Sequence, residues 1–279
     1  FNHHVLNRVK DIVDAVSDGR INTVSFRKVP SQASTAGTWC DLSMASGNPS
    51  PNFYSGDALT STLFDGRKGI YKGNSEYLFE IMAQTSSANG APSTLMLCDY
   101  LLYYPQVDMD NVNAQSTDNT TTLPRYTSGE GVQMFVVAQY PFIGGVDFRI
   151  TYTNSDGVSG RSTGLVRCNN VANIASFIHS GSFANSFGAF LPLQSGDKGV
   201  RSVEDIQFLS PNGGLGAIVL VKPIYTTRIR ELASPSESNC FKDSALLPKI
   251  EQGAYLNFIC LPNASISGVP ISGIIKTIW

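Results

Sequence analysis

Apolar positions along this chain change their period once, near residue 20. Before that point Leu6, Val9, Ile12, Val13 and Val16 recur at helical spacing, and Gly19 follows where a C-terminal cap sits. Lys10 and Asp14 fall four residues apart on the opposite face. The spacing predicts a short amphipathic helix. Its stripe must be buried somewhere, either on the helix's own domain or, as an arm, against a neighbouring subunit.

Beyond residue 20 the period is two. Ile21 to Val29 alternates as a strand, and Trp39 to Met44 reads as another. Glu76 to Ala83 would place Tyr77, Phe79 and Ile81 on one face, and Thr94 to Tyr104 is too rich in Leu and Tyr to be surface. Gln133 to Tyr140 follows. The clearest hairpin is Val146 to Thr153, with Phe148, Ile150 and Tyr152 inward. It turns at Asn154-Ser-Asp-Gly157, and a return strand runs through Ser159 to Val166. Further strands are expected at Ala189–Leu193, Ser202–Leu209, Ala217–Val221 and Tyr255–Leu261, with a final apolar segment ending at Trp279.

Segments 45–56, 86–92, 107–122 and 234–243 read as turns or loops on Pro, Gly, Asn and Asp content, and 169–188 as room for a short helix. Short strands at this spacing, without alternating helices, predict a mainly β chain of two β-sandwich or jelly-roll-like domains with a short N-terminal amphipathic helix. The expected division is a helical arm over 1–20, a first sandwich over 21–166 and a second over 167–279. Gly73-x-x-x-Tyr77-Leu78-Phe79 loosely echoes Gly253-x-Tyr255-Leu256-x-Phe258, a weak hint of duplication.

Composition narrows the classes. Charged residues are 15%, against roughly 25% in ordinary soluble domains, which suits a protein lying against others in an assembly. The formal charge of −2 gives no field to attract phosphates, so no nucleic-acid partner is expected. No apolar run is long enough for a membrane span, so no membrane partner is expected. Phe1-Asn2-His3-His4 is neither a charged n-region nor an apolar signal core. Cysteines at 40, 98, 168, 240 and 260 form no C-x-x-C pair and are odd in number, so neither a zinc site nor a disulfide framework is indicated, and Cys98 and Cys260, inside apolar strand patterns, are expected to be buried thiols.

Candidate chemistry is thin. No G-x-S-x-G occurs, and the one interior histidine, His179, reads as structural. His3 and His4 are adjacent and poorly placed to share a metal. Asp108, Asp110 and Asp118 suggest a loose Ca²⁺ loop, but Val112 occupies a ligand position and the EF-hand pattern fails. Asn212-Gly-Gly-Leu-Gly216 precedes a strand, the wrong order for a dinucleotide fingerprint. Asn119 and Asn263 open common glycosylation sequons. Asp147, Glu204 and Asp205 could supply a glycosidase pair, though nothing points to one. No catalytic residue, cofactor-binding residue, cofactor or metal ligand is expected.

Several strings carry a resemblance: Leu97-Cys-Asp-Tyr-Leu-Leu-Tyr-Tyr-Pro105 with Val107-Asp-Met-Asp, Thr122 to Val132, Thr151 to Arg161, Phe190 to Asp197, and Leu220-Val-Lys-Pro223. Over roughly residues 75–279 the chain resembles virion structural proteins of tailed bacteriophages. The resemblance implies a non-enzymatic virion component, assembled in the host bacterial cytoplasm. Its first form is a capsid decoration or cement protein contacting the major capsid protein and copies of itself as a homo-oligomer. The alternative is a receptor- or glycan-binding domain of a tail or head fibre, for which Phe53 and Tyr54 are the loop aromatics. The helix 1–20 and the loop 107–122 are the expected contact segments.

Overall fold

The structure is a computed structural model describing residues 9–64, 69–71, 74–170, 173–181, 187–244 and 247–279. It is mainly β with sandwich-like packing and a short N-terminal helix, α1, over Val9–Ser17. A Schellman arrangement ends α1: Gly19 N donates to Val16 O at 3.1 Å and Arg20 N to Ala15 O at 2.8 Å, with Gly19 at φ +69°. Lys10 and Asp14 pair on its outer face at 2.7 Å.

Nine strands of six residues or more carry the fold among the described residues: β1 (Ile21–Val29), β2 (Glu76–Thr85), β3 (Ser93–Asp108), β4 (Gln133–Ala138), β5 (Asp147–Asn154), β6 (Val200–Phe208), β7 (Leu215–Ile229), β8 (Tyr255–Pro262) and β9 (Ile271–Ile278). All pair antiparallel in three sheets. The first runs Ser236–Asn239, β2, β9, β1, Ser46–Asn48. The central one runs Cys40–Asp41, β8, β3, β7, β4. The third runs Arg161–Ser162, β5, β6, Gln115–Ser116.

The central sheet closes on itself. Residues 175–178 bridge its two edges: Ala175 N donates to Ala138 O and Ile178 N to Val136 O, while Asp41 N donates to Ala175 O and Phe177 N to Trp39 O, all at 2.8–3.0 Å. Closure removes both sheet edges and makes a small barrel. Its interior is filled by Trp39, Tyr54, Tyr100, Tyr103, Phe135, Val137, Phe177, Val219, Val221 and Tyr255. Phe135 and Phe177 stack at 4.1 Å, and Phe64 meets Tyr100, Tyr103 and Tyr255 at 4.9–5.2 Å. The interior is a packed core.

The outward-facing residues of the same strands feed two further cores. Leu95, Leu97, Leu256 and Phe258 meet Phe26, Leu78, Ile81 and Ile275 of the first sheet. Leu102, Tyr104, Met134, Val136 and Leu220 meet Phe148, Ile150, Val203 and Phe208 of the third. Each fully buried large apolar side chain contributes about 1.5–3 kcal/mol. A polar seam divides the two cores on the barrel's outer wall. There Asp99, fully buried, accepts from Arg125 Nε at 2.7 Å, Arg125 Nη2 at 2.5 Å and Tyr255 N at 2.8 Å. Directly opposite Asp99 in the ladder, Lys222 stands 5.2 Å over the Tyr126 ring.

Every sheet draws strands from both sides of residue 166, so hydrogen-bond ladders cross the boundary expected there. Several local expectations also shift. In β2 the buried apolar positions are Leu78, Ile81 and Ala83, with Tyr77 and Phe79 only half-buried. A register slip opposite Lys276/Thr277 adds a residue and flips the face at 78–81. β7 runs eight residues past Val221 despite Pro223, because a bulge at Pro223/Tyr225 absorbs the missing donor. Segment 234–243 is structured, as strand Ser236–Asn239 and helix α2 (Cys240–Ser244). Ala189–Leu193 forms no strand, and 173–181 contributes the closing bridges where a helix was expected.

Candidate functional site

The densest constellation of functional groups lies inside the barrel at Asp41. Parity in the two-residue strand Cys40–Asp41 sends Cys40 outward to the first sheet and Asp41 inward. Asp41 Oδ1 accepts from Ser43 N at 2.8 Å and from Tyr100 OH at 2.8 Å. Its Oδ2 accepts from Ser43 Oγ at 2.6 Å and from Tyr54 OH in a short hydrogen bond. Burial pushes the Asp41 carboxyl up from its usual range, and these four donors pull it partly back. Tyr54 is held at φ +51°, an uncommon backbone for a bulky residue, with its ring fully buried as a plug.

Four donors fill the lone-pair positions of the carboxylate, leaving none for a substrate. The Ser43 hydroxyl is spent on Asp41, and its other neighbour is the neutral Tyr54 phenol, at 2.9 Å. The set is chemically a clamp: it pins the 41–54 loop across the barrel mouth. Near it Lys28 is fully buried and donates to Pro49 O at 2.7 Å. Burial lowers its ammonium to about 8, offset in part by the Asp41 charge. No signal beyond an Asp inside the apolar run Trp39-Cys-Asp-Leu42 marks this cluster in the sequence.

The residues weighed on sequence grounds are dispersed. His179 is fully buried, stacked 5.6 Å from Phe177, with the Ala189 backbone as its nearest polar neighbour. Burial drives its pKa down to about 3, so the ring is a neutral core aromatic. Asp108 Oδ1 accepts from Asp110 N at 3.0 Å in a local turn, and Asp110 Oδ1 accepts from Gly213 N at 3.1 Å. Asp118 pairs through its backbone with Leu59 and Ser61. Among the described residues no three His, Cys, Asp or Glu side chains gather in metal-binding geometry. His3 and His4 lie outside the described residues.

Asp147, Glu204 and Asp205 sit on the third sheet, each with its own partner: Arg167 at 3.1 Å, Thr153 at 2.8 Å and Thr151 at 3.1 Å. The loop Asn212–Gly216 turns into β7 with Gly213 and Gly214 at φ +63° and +77°. At this turn a Cβ on Gly214 would lie 2.4 Å from Pro141 O, which requires glycine.

Two features face outward, uncovered by the other described residues. Val9, Val13 and Val16 of α1 are 62%, 55% and 48% exposed, and only Ala15 of the helix is buried. A pocket of about 410 Å³ opens between Pro30–Ser34, Cys40–Ala45 and Ile174–Ala175, with Phe53 and Tyr140 at its lining. Both aromatics are more than half exposed, as is Ile143 nearby in sequence. Much of the pocket's polar complement is already used. Gln139 bonds Gln106 N, Phe53 O and Tyr54 O, and Ser34 bonds Ala264 O and Ile266 N. The pocket suits an apolar group. No described helix is long and apolar enough to cross a membrane.

Comparison of the chain with protein-family models, with curated proteins and with solved structures gives no match in any of the three.

Proposed function

We propose that the chain is a non-enzymatic structural component of a bacteriophage particle, a decoration or cement protein contacting the major capsid protein and neighbouring copies of itself. The observation that carries the reading is the exposed valine stripe of α1. A helix of a free-standing domain turns such a stripe to its own core, and here Val9, Val13 and Val16 face solvent. The stripe fits an arm laid on a neighbouring subunit. The apolar pocket rimmed by Phe53 and Tyr140 and the low charge content support the same reading. Cement proteins work by modest contacts that symmetry multiplies. The particle context rests on the resemblance of the strings between residues 75 and 279.

The fibre alternative, a receptor or glycan binder, needs a concave site with convergent free polar groups. Intramolecular bonds at Gln139 and Ser34 argue against it. Cryo-electron microscopy of the intact particle tests the proposal. Copies repeating over the head, with residues 1–20 against a neighbour, are expected. A few copies at a tail tip would replace the cement reading with the fibre one. Deleting residues 1–20 is expected to abolish incorporation, and unchanged incorporation would remove the arm.

A further inference from the structure

We propose that Cys40 and Cys260 are a disulfide-forming pair, closed by thiol–disulfide exchange with a small-molecule disulfide of the glutathione type. Cys40 and Cys260 are direct partners in the antiparallel ladder between Cys40–Asp41 and β8. Leu42 N donates to Phe258 O at 3.0 Å, so Leu42 faces Phe258 across a hydrogen-bonded position. Two residues along, Cys40 and Cys260 occupy the next such position. The Cα separation at these positions is about 5.5 Å, within the commonest range for disulfides. Side chains directly opposite share one face, here the barrel's outer wall, and both thiols lie in the core between that wall and the first sheet. The Cβ separation at such a position is about 5.5 Å, against about 3.5–4.5 Å in a disulfide, so closure draws the two-residue strand toward β8 by about 1 Å.

Cys40, 6% exposed, lines the pocket of about 410 Å³, and Cys260 is fully buried. The other three thiols have no such arrangement. Cys98 faces Pro223 and Asn257 in its ladders, Cys168 lies 3.5 Å from Asn212 Nδ2, and Cys240 neighbours Tyr225. In the reaction the Cys40 thiolate attacks the oxidant's S–S bond and releases one small thiol. The Cys260 thiolate then attacks the mixed disulfide at Cys40 and releases the second. Two protein protons and two electrons end on the two released thiols. The neighbouring Cys260 thiol and burial raise the Cys40 thiol, so thiolate is scarce at neutral pH and closure is slow. Its rate rises about tenfold per pH unit until the thiol is ionised.

The test uses the full chain, folded, with excess oxidised glutathione at mildly alkaline pH. Alkylation in urea and mass spectrometry of the intact chain and its peptides follow. Three alkylated cysteines and one cross-linked peptide pair joining Cys40 to Cys260 are expected. Cys260→Ser should trap a glutathione adduct on Cys40, and Cys40→Ser should acquire neither adduct nor cross-link. Five alkylated cysteines in the oxidised wild type would overturn the proposal, as would a two-thiol loss persisting in Cys40→Ser. The wild-type result decides even if a variant fails to fold.

Discussion

The barrel interior and the rim of the third sheet each hold a carboxylate bound by a tyrosine, and the two behave oppositely. Asp41 takes four hydrogen bonds from neutral donors and its carboxyl is pushed up. Asp197 accepts from Arg161, Asn154 and Tyr152, at 2.7–3.0 Å, and is pulled down to about 2. Hydrogen-bond number does not separate them. What separates them is depth together with a cation: Asp197 sits at the rim beside a guanidinium, while Asp41 lies in an aromatic core, and Asp99, buried deeply too, is pushed up despite its own guanidinium. Desolvation outweighs neutral donors in the second case, and a cationic donor outweighs it in the first. The pH signs follow. Asp197 supports folding above its ordinary 3.8 and loses that support as pH falls toward 2. Asp41, raised when folded, contributes less as pH climbs from 3.8 through its folded value.

The largest effect expected is from Asp41→Ala. It strands Ser43 N, leaves Ser43 Oγ and Tyr54 OH only each other and Tyr100 OH only Phe258 O, and opens a cavity, so a loss of about 4 kcal/mol in urea unfolding is expected. A loss under 1 kcal/mol would mean the clamp is redundant. Next is Arg125→Ala, which removes the cation from buried Asp99 at the seam and should cost about 3–5 kcal/mol. If Asp99 tolerated that loss, the role assigned to cations in this comparison would fail.

Lys28→Met is smaller and sharper. The folded amine titrates near 8 against an ordinary 10.5, so the unfolded chain binds more protons between those values. Wild-type stability should therefore rise from pH 8 to 10.5. The variant should lose that slope and gain about 1 kcal/mol at pH 7. A slope unchanged in the variant would assign the titration elsewhere. Smallest is Arg161→Ala, read by following unfolding between pH 4 and pH 2, where the acid-side loss should flatten.

The comparison also shows what the sequence could convey. The strict alternation of Phe148, Ile150 and Tyr152 placed all three in the core of β5, and the turn closes with Gly157 at φ +80°. The helix and its glycine cap were equally legible. Alternation is a local signal, and it fails where pairing is decided across the chain. Residues 175–178 close the barrel through contacts with 39–41 and 136–138, and nothing in their own pattern announces a strand. The Asp41 clamp draws on positions 41, 43, 54 and 100, which only the closed barrel brings together. An acid within an apolar run, Asp41 or Asp99, was the one local clue to buried polar chemistry.

The closed barrel also sets an order of events during synthesis. Strand Cys40–Asp41 needs β8, and β1 pairs with β9, more than 240 residues downstream. While the chain emerges from the ribosome, both early segments expose unpaired backbone until the C-terminal strands arrive. Such long-range pairing slows folding and prolongs exposure of sticky edges. Chains truncated before Tyr255 should accumulate as aggregates, and a cell producing this protein at high copy would rely on chaperones holding the nascent N-terminal half.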